Sequence, residues 1–368
     1  MKQSALAKRW MLLALGAPFL SAVGLAQQTP TFSVQILANL SGGANAYVYG
    51  INNSAEAVGS AGGGTSACPN YCAVIWHDGA PTLLDMGSAS GAEALAANDA
   101  GQVVGSVAGI NAMGAEVQTA VVWNNGTPTL LPSPAPYTNT IASSINDVGQ
   151  VAGQAYGGAT ELGAIVWNGV TPTVLDAESG CTAGGYATAI NSGGTVVGVN
   201  HCPSDVVIVW HGTTPTLLGD GEPYAVNNAG LIVGISSKGA TTWINGVATP
   251  LQTFSGAYSR ADSYAAAVNN GGLIVGRARV SNPVVLTYHA LLWSSVSAAP
   301  QDLNDLISAA AAKKYVLTEA TGINGSCTIV VNGFSRKDTI NNIAFLLKPT
   351  NPSSCANGLL EQKPKTVR

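Results

Sequence analysis

The chain is poor in charge: 9% of its 368 residues are Asp, Glu, Lys or Arg, against 46% that are hydrophobic. That balance excludes an intrinsically disordered chain, which needs low hydrophobicity and high net charge. Aromatics make up 6%, and there are only four histidines, at 77, 201, 211 and 289. Beyond the first 26 residues no apolar run approaches the ~20 residues that a bilayer span requires. No Asp-x-Asp-x-Asp-Gly calcium loop, Gly-x-Ser-x-Gly elbow or Gly-x-x-x-x-Gly-Lys phosphate loop occurs, so the commonest calcium, hydrolase and nucleotide motifs are missing. No cofactor is implied, and no metal set: Cys68 and Cys72 have no further ligand type nearby in sequence.

What is present begins at the N-terminus. Lys2, Lys8 and Arg9 precede the apolar stretch Met11 to Val23, and Gly24-Leu25-Ala26 supplies small residues before Gln27. This order reads as a signal peptide over 1–26, and so predicts export. Without those residues the chain carries 12 basic against 19 acidic side chains, a net of −7. That acidic balance argues against nucleic acid, which calls for a basic footprint. Six cysteines, Cys68, Cys72, Cys181, Cys202, Cys327 and Cys355, are an even count suited to disulfides in an oxidising compartment. They allow 15 pairings; the nearest-neighbour scheme is the expectation.

Forty-four glycines and many Val, Ile and Thr point to strands and turns. The decisive signal is a repeat. A unit Ile/Val-Asn-x-x-Gly-x-Val-Val-Gly recurs seven times, marked by Asn52, Asn98, Asn146, Asn191, Asn227, Asn269 and Asn324, the last copy degenerate. The markers lie about 45 residues apart on average, the shortest gap being Asn191 to Asn227. After each unit comes a variable loop, then an apolar run ending in tryptophan at 76, 123, 167, 210, 243 and 293, with Leu347 in the seventh slot. A tight turn such as Asp78-Gly79 or Asn125-Gly126 follows, and then Pro-Thr-Leu-Leu or a relative. Asn-Gly and Asp-Gly supply the positive φ angles of two-residue hairpins.

Each copy therefore predicts four strands. The continuously apolar second strand is buried on both faces. The fourth opens with proline, which cannot donate to a ladder and belongs at an edge. Two departures stand out: Ala55 occupies the turn-glycine position of the first copy, and Gln301 to Lys314 is an insertion whose Leu303, Leu306 and Ile307 predict one short amphipathic helix. The seventh copy lacks a fourth strand, but Thr29-Pro30-Thr31 followed by Phe32 to Leu40 matches the missing segment. A ring of blades hides its ends by such an exchange, whereas an open solenoid wants polar caps. The expected fold is all-β: a seven-bladed β-propeller of four-stranded antiparallel blades over 27–350, closed by an N-terminal strand, with a polar tail over 351–368.

The units resemble the HAF-repeat family of extracellular bacterial repeat proteins. The resemblance rests on the Ile-Asn-x-x-Gly-x-Val-Val-Gly unit, on His289-Ala290-Leu291 and Ala344-Phe345, and on Asp302-Leu303-Asn304-Asp305-Leu306-Ile307 followed by Leu317 to Asn324. It covers nearly all of residues 32–348 and implies export and a repeat fold, with no particular activity.

No constellation reads as catalytic. His77 and His211 follow the tryptophan in different copies and cannot meet, and His201 adjoins Cys202. Asp99 and Asp147 follow the marker asparagine in copies two and three, where Asn53, Ser192, Asn228, Asn270 and Gly325 stand elsewhere. A mostly neutral ring suits turns better than acid–base work. The tryptophans suit packing between blades, and the loops at 61–71, 108–119 and 277–288 suit binding. The reading is a secreted, monomeric, non-catalytic binding or scaffold module, its partner an unknown extracellular protein or glycan. The alternatives are an extracellular enzyme on a polymer such as a polysaccharide, acting at the channel mouth, and a structural or adhesive surface protein.

Overall fold

A computed structural model describes residues 32–351 and 355, apart from 42, 64–67, 69–70, 111–113, 159–161, 179–180, 182–183, 203 and 281–286. The signal peptide expected over 1–26 and Thr29-Pro30-Thr31 fall outside these. The repeat unit folds as its pattern requires. In blade 1 the strands are Ala46–Ile51, Ala57–Gly62, Tyr71–His77 and Ala80–Leu83, paired antiparallel in sequence order. Six blades repeat this order. The seventh is built from Tyr315–Ile323, Ile329–Ser335, Asp338–Pro349 and, as its outer strand, Phe32–Leu37. Phe32 pairs with Pro349 and Leu37 with Ala344, so the borrowed strand closes a seven-bladed β-propeller. The first strands contact one another around the axis, including Ala46–Ile51 against Tyr315–Ile323 across the seam.

Burial drives the closure. Seven apolar clusters each straddle two neighbouring blades. The six tryptophans are at most 1% exposed. Five of them donate Nε1–H to a backbone carbonyl of the preceding blade: Trp76 to Ala38 (2.8 Å), Trp123 to Asp85 (2.6 Å), Trp167 to Pro132 (3.0 Å), Trp210 to Asp176 (2.8 Å) and Trp293 to Gln252 (3.0 Å). A buried indole normally finds such a partner. Trp243 does not. It follows the shortest repeat, where the preceding outer strand Thr214–Asp220 runs on through a bulge instead of turning away.

The conserved-looking glycine of each second strand has a steric cause. A β-bulge in the first strand aims a carbonyl at it. A Cβ on Gly59, Gly105 or Gly153 would lie within about 2 Å of the carbonyl oxygen of Tyr47, Glu93 or Ile141. In blade 7 the first strand carries two bulges, and the glycine reappears two residues late as Gly333. That shift is why the seventh unit reads as degenerate.

The insertion differs from expectation. Gln301–Asp302 is the outer strand of blade 6, Leu303–Asp305 is a 3₁₀ turn, and Ala309–Ala312 is a four-residue α-helix of alanines alone. No single amphipathic helix forms. Leu303, Leu306 and Ile307 instead share the blade 6–7 cluster with Leu347, where a tryptophan is missing. The three disulfides are Cys68–Cys72, Cys181–Cys202 and Cys327–Cys355, the nearest-neighbour scheme.

Ala55 adopts φ +62°, the left-handed region that Gly101, Gly149 and Gly194 occupy in their copies. An L-residue is strained there. Ala55→Gly is therefore expected to raise stability by about 0.5 kcal/mol, the relief of strain outweighing the larger chain entropy of glycine. Urea unfolding monitored by tryptophan fluorescence checks it; an unchanged or lower midpoint would contradict it.

Candidate functional site: the two ends of the central channel

Each first strand ends at its marker asparagine, so the seven asparagines meet at one end of the axis. They line a funnel of about 220 Å³. The geometry is a closed ring. Each Nδ2 donates to the backbone carbonyl of the next marker: Asn52 to Asn98 (3.1 Å), Asn98 to Asn146 (3.0 Å), Asn146 to Asn191 (3.1 Å), Asn191 to Asn227 (3.1 Å), Asn227 to Asn269 (3.1 Å), Asn269 to Asn324 (3.0 Å), and Asn324 back to Asn52 (3.0 Å). Meanwhile Oδ1 accepts the N–H four residues on, as in Asn146 with Gln150 (2.9 Å), which holds the turn. All seven side chains are buried.

The next residue forms an exposed outer ring. Asn53 donates N–H and Nδ2–H to Asp99 (2.8 and 2.7 Å), and Asp99 donates its N–H to Asp147 (3.2 Å). Ser192 and Asn228 donate N–H to Asn228 and Asn270 (both 3.0 Å). Both carboxylates are engaged by neighbouring blades, and among the described residues no other charged side chain lines this mouth.

The far end is different. The residue five before each marker is, in order, Tyr47, Glu93, Ile141, Tyr186, Glu222, Tyr264 and Glu319. Five residues of strand place this belt about 16 Å from the asparagines. It lies towards the face that carries the loops between second and third strands. Tyr186 donates to Glu222 Oε1 (2.8 Å), Tyr224 to Glu222 Oε2 (3.1 Å), and Tyr264 to Glu319. Arg277 pairs with Glu319 (3.1 Å) and lies over the rings of Tyr264 (4.7 Å) and Tyr288 (4.2 Å). Tyr224 and Tyr264 meet edge to face at 5.3 Å. One connected array thus spans blades 4 to 7. Burial, and then the Glu222 carboxylate, push the Tyr186 and Tyr224 hydroxyls above the usual phenol range, so both remain donors. Burial pushes the Glu319 carboxyl up to about 7.

The other sequence candidates stay apart. His77 meets Glu56 at 3.2 Å in blade 1 and His201 meets Asp205 at 2.6 Å in blade 4, while His211 is exposed. The six cysteines form the disulfides already described, two of them flanking loops of the belt face. Among the described residues no group of three His, Cys, Asp or Glu could hold a metal ion, and no helix is long and apolar enough to cross a membrane. The belt is legible in the sequence as a fixed offset of five residues before each marker, but it repeats no single residue.

Two outcomes follow. Asn146→Ala removes the bond to the Asn191 carbonyl, which then keeps only the Gly194 N–H, and takes the side-chain acceptor from the turn N–H of Gln150; it should cost about 1–3 kcal/mol, whereas Asn228→Ala, in the exposed ring, should cost under about 1 kcal/mol. Equal losses in urea unfolding would contradict the ring. Separately, the fold holds the Glu319 proton more tightly than the unfolded chain does. Its contribution favours the fold below about pH 4.5 and is lost as pH rises through about 7. Unfolding free energies measured from pH 4 to 8 should therefore fall less steeply in Glu319→Gln than in the wild type. Parallel profiles would contradict this.

No family model matches the chain, and no curated protein matches its sequence. Among solved structures, a crystal structure of the RRP9 WD40 repeats is similar with TM-score 0.52 and 11% identity, over 87% of this chain and 99% of that one. A crystal structure of the mitotic checkpoint complex matches with TM-score 0.47 and 13% identity, over 93% of this chain and 99% of its own. At such identity the first likeness speaks to fold alone. In architecture the chain is a seven-bladed β-propeller similar to WD40 propellers.

Proposed function

We propose that the protein is a secreted, non-catalytic binding module of the HAF-repeat kind, exported by its N-terminal leader. Its ligand is an extracellular protein or glycan, bound over the belt end of the channel. The observation that carries this reading is the belt itself. At one position per blade the turns demand nothing, yet it holds three tyrosines and three glutamates instead of repeating one residue. Hydroxyl donors, carboxylate acceptors and aromatic faces on a rigid ring are the few convergent polar groups a recognition site needs. The loops beside it are where the copies differ most, and such loops on a rigid scaffold commonly carry binding. The three disulfides suit an oxidising location, and the WD40-like architecture is consistent with a scaffold role.

The test runs the leader-free chain, Tyr186→Phe/Glu222→Gln and Asp99→Asn in parallel on a glycan array and in pull-downs from the native secretome. A specific ligand held by the wild type and by Asp99→Asn, and weakened at least about tenfold by the belt variant, is expected; tenfold is about 1.4 kcal/mol, one lost charged hydrogen bond. Retention by the belt variant would contradict the assignment. A second reading, an enzyme on an extracellular polysaccharide, is favoured only by Glu319, whose carboxyl sits near the working range of a general acid. Release of reducing ends by the wild type, abolished in Glu319→Gln, would establish that reading in place of the first.

A further inference from the structure

No Lys or Arg lies between Arg9 and Lys238, and four of the twelve basic residues that follow the leader are Lys313, Lys314, Arg336 and Lys337. The fold brings these four together. Arg336 donates its backbone N–H to the Lys314 carbonyl (2.8 Å) and Nε–H to the Ala312 carbonyl (2.9 Å). None of the four makes an ion pair among the described residues. Beside them, between blades 6 and 7, lies a cleft of about 560 Å³ whose lining includes Arg336 and His289 with Phe254, Val280, Val316 and Phe334. That is the size of a small-molecule site.

His289 is held for use. Its Nδ1 meets Asp302 Oδ2 at 2.5 Å. Asp302 is buried, and its other oxygen accepts from the backbone N–H and the side-chain amide of Asn304 (both 2.9 Å). A carboxylate fixed in this way fixes the ring and assigns the proton on Nδ1. Nε2 then has no partner among the described residues, and neither do the terminal nitrogens of Arg336. One cleft is thus lined by an imidazole oriented by a satisfied buried carboxylate, by a guanidinium with uncommitted terminal nitrogens, and by two phenylalanines and two valines.

We propose that this cleft is a second binding site, which takes a carboxylate carrying an apolar group. The guanidinium matches a carboxylate in a two-pronged geometry, the His289 edge adds a polar contact, and the unpaired lysines supply a positive field. The apolar walls take the body of the ligand. Two sources share this chemistry: a free organic acid, and the C-terminal carboxylate of a peptide ending in an apolar residue. The site is separate from the channel belt and stands without it.

Isothermal titration calorimetry on the leader-free chain, disulfides intact, tests the proposal with N-acetylphenylalanine, its neutral amide, phenylacetate, and a short peptide ending in Phe with a free carboxylate. Saturable one-to-one binding of N-acetylphenylalanine is expected, with the amide at least about tenfold weaker, since the charge-assisted hydrogen bonds to Arg336 are lost. Arg336→Gln should cause a like loss with the melting temperature lowered by no more than a few degrees, since the one bond it gives up, to the Ala312 carbonyl, is exposed. His289→Gln should weaken binding as well, and Glu222→Gln in the belt should not. Phenylacetate binding without the peptide would identify a free acid; tighter peptide binding would identify a chain terminus. Failure of all three acids to saturate, equal binding of the amide, or indifference to Arg336→Gln would overturn the proposal.

Discussion

The molecule depends on one hydrogen bond made seven times, from a buried asparagine amide to the backbone carbonyl of the same asparagine in the next blade. Asparagine alone suits it. Its short side chain carries an acceptor to hold its own turn and a donor to reach across. Aspartate lacks the donor, and the extra methylene of glutamine would displace both groups. The turn so fixed sets the path of the first strand. The bulge in that strand aims a carbonyl at the second-strand glycine, and thereby sets which side chains face their counterparts in the belt. Indoles on one side of each blade and leucines on the other then fill the space between sheets. The apolar area supplies most of the free energy; the ring supplies register.

The two ends of the channel are consequently unlike. The asparagine end is made by turns that must be similar in every blade, and its outer ring is bound up in contacts between neighbours. The belt end is free of that demand. There the copies diverge, the loops lengthen, Lys313, Lys314, Arg336 and Lys337 collect, and both proposed binding sites are placed. The repeats that build the ring leave one face constant and the other open to variation.

Much of this was legible in the sequence because it is periodic. Seven asparagines, six tryptophans and the prolines of the outer strands give blade number, strand order and buried faces. The displaced segment at Phe32 gives the closure. The cysteine scheme followed from neighbour distance alone. What escaped notice is what joins residues far apart in the chain. The partner of Asn324 is Asn52, at the other end of the described chain, and nothing local indicates it. The belt has the same period as the markers but no constant residue, so a search for sameness overlooks it. His289 and Asp302 lie 13 residues apart in the sequence, and only the pairing of adjacent strands brings them to 2.5 Å. The helix expected from Leu303, Leu306 and Ile307 failed because those side chains were required at the blade 6–7 interface, where Leu347 leaves room that a tryptophan fills elsewhere.

The account stands on closure: blades that bury their faces in a circle should lose stability together, whereas a linear stack loses it near the lesion. Native-state hydrogen exchange of second-strand amides, comparing the wild type with Asn324→Ala at the seam, measures this directly. The account predicts that Val104 in blade 2 and Val197 in blade 4 exchange through the same global opening as Val330 in blade 7, and that all three lose the same protection free energy in the variant. Loss confined to Val330 and its neighbours, with Val197 unchanged, would contradict it.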